Sequence, residues 1–381
     1  MDLIIDAKKR SKIMKKISVL ATAVLFAGAA LVSAEGFKLG GYIRAGWANT
    51  IDALDTDGDG DGDTAEAVTG TWLAGDYFGG STRSRLNLSW SNKDESAGAY
   101  VRLQYTGAAE EWDLTDATPY AYGWVNPFDG LVTVSAGKLK DDWIGSDGWE
   151  GFSVIDGKSG FFAGLNPIEG LTLGGGAVVD YLKDFNDENG THHRASKRAA
   201  YFGAKYTSDA FTADAGYALA GEFYANLNVT AVENLLLAFE VNHDSDDILD
   251  EETSYFSDKE KNIHGYETTF VEQVEYTGID KLTLGVESYQ YINDHTIADD
   301  SNVTVTITPA VRYEFTDVVA ASVEGTINLF SYDDAPDTYS TIVPAVYFKV
   351  ADGAEASVWG KISTDTDQEN HQIGTGVIFN F

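Results

Sequence analysis

The chain has 381 residues, 60 of them Asp or Glu against 26 Lys or Arg, a formal charge of −34, and no cysteine. The missing thiols exclude a disulfide framework, a thiolate metal site, a Cys nucleophile and a lipid-modified N-terminal cysteine. The charge argues against nucleic acid as a partner, because replacing phosphate counterions needs clustered basic groups, while 12% aromatic and 44% hydrophobic residues are too many for a disordered acidic chain.

Met14 opens Lys15-Lys16, an apolar run from Ile17 to Leu31 follows, and Val32-Ser33-Ala34 precedes Glu35. A basic start, a short apolar run and a small-x-small site read as a secretory signal peptide over residues 1–34, with 1–13 as an upstream extension and an uncleaved anchor as the alternative. Its removal takes six basic and two acidic residues, so the mature chain 35–381 carries 20 Lys+Arg against 58 Asp+Glu. Beyond Glu35 no apolar stretch approaches the roughly 18 residues of a helical span.

From Phe37 the chain alternates. Phe37, Leu39, Ile43, Ala45 and Trp47 share one face, and Lys38, Tyr42 and Arg44 the other. The same rhythm predicts strands at 83–90, 99–105, 118–126, 130–139, 157–165, 170–181, 199–207, 211–219, 222–231, 234–243, 266–276, 281–292, 302–315, 318–330, 340–350, 354–364 and 372–381. With 37–47 these make eighteen. Short turns, such as the similar pair Asn126-Pro-Phe-Asp-Gly130 and Asn166-Pro-Ile-Glu-Gly170, alternate with mostly longer polar loops at 48–81, 108–117, 140–156, 182–198, 244–265, 293–301, 331–339 and 365–371.

Eighteen alternating strands are too many for one filled soluble core about 10 Å thick, whereas a barrel of that size encloses water and turns its apolar face to lipid. The expected fold is therefore all-β, a single closed antiparallel transmembrane β-barrel of about 18 strands, with 16 as the alternative. Closure satisfies the backbone in hydrocarbon. Short turns on one rim and long loops on the other place both mature termini on the periplasmic side of an outer membrane. Pro309 and Pro344 fall inside predicted strands, where a closed barrel has no free edge to excuse a missing donor.

The sharpest local motif lies in the first loop. Asp55, Asp57, Asp59, Asp61, Asp63 and Glu66, with Gly60 at the turn, have the spacing of an EF-hand calcium loop. Carboxylates at alternate positions converge on one hard cation. No flanking helices are evident, however, and Gly62 replaces the usual apolar residue, so Ca2+ and a merely solvated acidic loop both stay open.

The chain ends on Thr375-Gly376-Val377-Ile378-Phe379-Asn380-Phe381. Gly376, Phe379 and the terminal Phe381 resemble the last-strand signal that bacterial outer-membrane proteins present to their assembly machinery. Over residues 37–381 the chain is similar to the bacterial porins, which implies a Gram-negative source, outer-membrane lipid as surroundings, small hydrophilic solutes and ions as cargo, and passive diffusion as the function. Monomer and homotrimer both stay open.

If apolar residues face lipid, then Lys38, Arg44, Arg83, Arg85 and Arg102 form a basic wall inside the barrel, and Asp214, Glu222, Glu240, Glu287, Glu324 and Glu355 line later strands. The porin resemblance implies that the third loop folds inward and sets Asp141, Asp142, Asp147 and Glu150 across from the arginines. Opposed charge rows orient dipolar solutes. The bland alternative is a wetted wall with the loop outside.

All six histidines fall in or beside predicted loops, and no nucleophile elbow or phosphate-binding loop occurs. An enzyme is therefore not expected. The rival from another class is a surface adhesin that works through its loops. A plug-gated receptor is disfavoured, because Phe37 opens a strand three residues past the cleavage site.

Overall fold

A computed structural model describes residues 36–50, 67–70, 77, 83–106, 118–140, 143–144, 152–186, 192–219, 221–244, 265–295, 300–331, 338–364 and 371–381. The signal segment 1–34 and the calcium candidate 55–66 lie outside them. The described strands are β1 (Phe37–Thr50), β2 (Ala67–Gly70), β3 (Arg83–Ser91), β4 (Ala97–Thr106), β5 (Tyr120–Val125), β6 (Val132–Lys138), β7 (Ser159–Ile168), β8 (Leu171–Asn186), β9 (His192–Thr207) and β10 (Phe211–Ala218). They continue as β11 (Phe223–Val229), β12 (Leu235–Asp244), β13 (Gly265–Ile279), β14 (Leu282–His295), β15 (Asp300–Glu314), β16 (Val319–Ser331), β17 (Tyr339–Ala351), β18 (Ala354–Ser363) and β19 (Gln372–Asn380). No helix occurs among the described residues.

From β3 onward every strand pairs antiparallel with the next, and β19 returns to β1, with Tyr42 facing Asn380 and Thr50 facing Gln372. The sheet therefore closes, and no edge is left to hydrocarbon. Phe381 completes the seam by donating to the Gly41 carbonyl at 3.0 Å and accepting from the Gly41 N–H at 2.9 Å. Gly41 holds φ +147, and a Cβ there would meet the Arg85 carbonyl oxygen at 2.2 Å, so only glycine lets β1 pair tightly on both sides.

Nineteen strands form eighteen staves, because β2 and β3 share one place in the ring. Phe37–Tyr42 of β1 pair with β3, and Gly46–Asn49 pair with β2. Between them the ladder is interrupted beside Arg44, where the Ser84 hydroxyl substitutes for a strand by accepting from the Arg44 N–H at 3.0 Å and donating to its carbonyl at 3.4 Å. The sequence reading assigned all of 48–81 to an outer loop. The structure instead places seven of those residues in the wall, 48–50 at the end of β1 and 67–70 as β2.

Both prolines lie inside strands, and the register shows how. Pro309 lies across from Gly325 and Pro344 across from Gly360, where a Cβ would meet the proline Cγ at 3.5 and 4.0 Å, ordinary contact distances. Paired residues are absent at these two points of the β15–β16 and β17–β18 ladders. Each lost ladder bond costs about 1 kcal/mol.

Burial is inverted relative to a soluble protein. Asp214, Asn226, Glu240, Thr269, Gln273 and Glu324 are only 2–7% exposed and face inward, while Ile43, Leu165, Phe202, Phe239, Val323, Ile362 and Phe379 are 43–58% exposed on the outer face. An apolar belt of this extent on every side suits lipid. Trp90, Tyr206, Tyr276 and Tyr313 lie on this face toward the short-turn rim, as an interfacial girdle requires. Both ends of the described chain lie at that same rim, because the number of staves is even.

Candidate functional site

Three of the predicted basic residues meet on neighbouring staves. The registers Tyr42 to Arg85, Asn87 to Arg102 and Arg102 to Tyr120 bring the inner faces of β1, β3, β4 and β5 into one surface. The Arg44 guanidinium carbon lies 4.6 Å from the centre of the Tyr42 ring, and that of Arg85 lies 6.0 Å from it. Arg102 sits 4.8 Å over Tyr120. Arg85 Nε donates to Gln104 Oε1 at 2.8 Å, and Arg102 Nε donates to Asn87 Oδ1 at 2.9 Å. Aromatic faces and side-chain amide oxygens help to hold these cations in place. Lys38, opposite Ser89, is exposed at the start of β1. Arg83 stands opposite Thr106 at the far end of β3, and its side chain is outside the described part.

The chain between β6 and β7 turns into the barrel. Leu139, Ile144, Val154 and Ile155 are fully buried against Tyr122, Phe162, Val178, Tyr201, Ala218 and Tyr224 of the inner wall. Trp143 stacks on Phe162 at 5.5 Å and 16° and meets the edge of Tyr122 at 5.4 Å. Polar clamps finish the seat. Asn226 Nδ2 donates to the Phe152 carbonyl at 3.1 Å and to Asp214 Oδ1 at 2.9 Å, while Lys158 pairs with Glu222 at 2.8 Å. Asp141, Asp142, Asp147 and Glu150 lie outside the described residues. The sequence reading weighed the acids of this loop and passed over Ile144, Val154 and Ile155, whose signal was apolar side chains in an otherwise polar connection.

The other predicted acidic residues are dispersed. Glu222 precedes β11 rather than opening it and serves Lys158. Asp214 holds Asn226, and Glu240 is 2% exposed on β12. Glu355 of β18 takes Arg312 at 3.3 Å, and that guanidinium lies 4.4 Å over Tyr347.

Glu324 has a partner that the sequence reading missed. Tyr77, from the chain between β2 and β3, is 6% exposed and rests on the inner face of β13, β14 and β16. Its backbone N–H donates to Glu324 Oε2 at 3.0 Å, its hydroxyl donates to Glu275 Oε2 at 3.3 Å, and Gln273 Nε2 donates to that hydroxyl at 3.4 Å. Burial, opposed by the Gln273 donor and reinforced by the charges of Glu275 and Glu287, pushes the phenol up to about 12. It therefore remains a donor at neutral pH.

Among the described residues no group of three or more His, Asp or Glu is disposed to hold a metal. His243 lies on the outer face with its Nδ1 2.8 Å from Thr268 Oγ1 and its ring 5.0 Å from Phe223. Of the terminal signal, Gly376 is buried on the lumen side, and Phe379 and Phe381 are about half exposed on the outside.

A closed antiparallel 18-stave barrel with apolar skin and charged interior defines the class: this is the fold of the bacterial outer-membrane β-barrels. No protein-family model and no curated protein matches the chain. Solved structures that resemble it include OmpT with loop L8 deleted, an outer membrane protein of Vibrio cholerae, at 14% identity and TM-score 0.53, covering 91% of this chain and 99% of that one. The in-vitro folded trimer form of OmpT matches at 14% identity and TM-score 0.50, over 91% and 99% of the two chains. The outer membrane channel DcaP of Acinetobacter baumannii matches at 10% identity and TM-score 0.51, over 91% and 97%.

Proposed function

We propose that this protein is a porin, a water-filled channel in the outer membrane of a Gram-negative bacterium through which small hydrophilic solutes and ions diffuse. The observation that carries the reading is the charged interior of a closed 18-stave barrel, with the fixed row Arg44, Arg85 and Arg102 on one sector and buried carboxylates on others. Such an interior has no use in a filled scaffold, where every buried charge costs several kcal/mol, but it suits a wet passage. The reading includes export by the 1–34 signal segment, periplasmic termini, handover to the assembly machinery through Phe381, and no catalytic step. Assembly with two further copies is compatible with it, as in the trimer form of OmpT. Calcium bound by Asp55–Glu66 in the first outer loop belongs to the same proposal.

The test is single-channel recording with the purified, folded protein in a planar bilayer. Discrete conductance steps are the expected result. Folded protein that inserts and passes no current would overturn the reading and leave the loop-borne adhesin in its place.

A further inference from the structure

We propose that a cavity at the short-turn mouth of the barrel, beneath Trp143 of the inward chain, is a binding subsite for short zwitterionic peptides. It rests on the channel reading above and names a class of solute for one end of that path.

The two similar turns of the sequence build it. Turns 126–130 and 166–170 frame a cavity of about 490 Å³, and Trp143 lines it from the lumen side. Asn166 locks the turns together. Its Nδ2 donates to the Gly130 carbonyl at 2.8 Å and to Thr133 Oγ1 at 3.3 Å, and its Oδ1 accepts from Thr172 Oγ1 at 2.8 Å. Trp143 stacks on Phe162, whose ring lies over Gly164 and Gly174 and so leans toward this rim. Frame and roof are therefore set before any solute arrives, as in most small-molecule sites.

Of the described lining residues, Asp129, Glu169 and Lys205 are charged, and the two signs are set apart. Asp129 and Glu169 are exposed on the turns, whereas Lys205 stands on β9 two residues above Thr207, whose N–H donates to the Gly170 carbonyl at 2.9 Å. Two strand residues are about 7 Å. Lys205 is paired with Thr172 on one side and Asp214 on the other, and an ammonium with three donors serves a wall acid and a solute carboxylate together. A solute carboxylate gains at the Lys205 end and is repelled at the turns, and an ammonium does the reverse. A solute of one sign therefore meets one wrong end. An extended dipeptide holds its terminal ammonium and carboxylate about 7 Å apart, the spacing offered here. Leu131, Ile168, Leu171 and Trp143 supply apolar surface for its side chains.

The experiment records the folded full chain in planar bilayers while the dipeptide Ala-Phe is added to either side, with its C-terminal amide, its N-acetyl form and maltose as comparisons. Ala-Phe should interrupt the current of the parent at concentrations roughly ten-fold lower than maltose or either capped form requires, since each cap removes one charge-assisted contact. Lys205→Met should weaken Ala-Phe roughly ten-fold and leave the amide unchanged. Asp129→Asn with Glu169→Gln should weaken Ala-Phe similarly and leave the N-acetyl form unchanged. Matching each variant to one cap separates a seated peptide from a general change of field in the mouth, and the capped peptides test the same contacts on the parent alone. A conducting parent that maltose or the capped forms interrupt as readily as Ala-Phe, or that Ala-Phe does not interrupt, overturns the subsite and leaves the channel standing, as does a Lys205→Met variant that responds to Ala-Phe like the parent. A folded parent that conducts nothing overturns both.

Discussion

Replacing Arg85 and Arg102 by Gln should make the pore markedly more cation-selective. Both guanidinium groups are held on the inner wall, Arg85 by Gln104 and Arg102 by Asn87, at 2.8 and 2.9 Å, so the double change removes two positive charges from fixed positions. An ion passing about 5 Å from one such charge in water feels about 0.8 kcal/mol, a factor of roughly four in local population. Two charges together approach roughly ten-fold, reduced by a Debye length of about 10 Å at 0.1 M salt. Glutamine preserves the polar wall and much of the packing, so the change isolates charge. Reversal potentials in a salt gradient should show the cation-to-anion permeability ratio rising roughly three- to ten-fold at low salt and returning toward the parent value near 1 M, where the Debye length is about 3 Å. An unchanged ratio at low salt in a folded, conducting variant would refute the placement of these arginines along the path.

Two further outcomes follow from the same geometry. Lys158→Met leaves the Glu222 carboxylate, 13% exposed, without the ammonium 2.8 Å away; the seat of the inward chain should weaken by about 1 to 3 kcal/mol. Limited proteolysis between 140 and 158 should speed up while the barrel keeps its heat-modifiable migration, and a parent-like cleavage rate would show that the pair does not hold the chain. If Asp55 to Glu66 bind calcium, protease nicking between Ile51 and Thr71 should slow in millimolar calcium and lose that response in Asp57→Asn with Asp59→Asn, whereas equal nicking with and without the ion would reject the site.

The barrel was legible because it depends on a local rule. Side chains alternate across a strand whatever else the fold does, so Ile43, Ala45 and Trp47 had to part from Arg44. Eighteen such segments with no core to receive them leave closure around water as the stable arrangement. Turn spacing then put both termini on one rim, and the same parity put Arg44, Arg85 and Arg102 on one wall. Register was not available from the pattern. Only pairing revealed that β2 and β3 share a stave, that Pro309 and Pro344 fit opposite Gly325 and Gly360, and that two turns of nearly identical sequence differ. Phe128 and Asp129 take left-handed φ in the first, whereas Ile168 and Leu171 pair directly across the second.

What fills the lumen was decided at longer range still. Tyr77 lies 247 residues from Glu324, and Asn226 lies 74 from Phe152. No periodicity links such positions, because a side chain in an irregular segment carries no facing rule. Its partner is set by where barrel closure brings the opposite wall. Composition and alternation thus determined that this chain encloses a charged interior, while the narrowing of that interior came from contacts that exist only once the ring is shut.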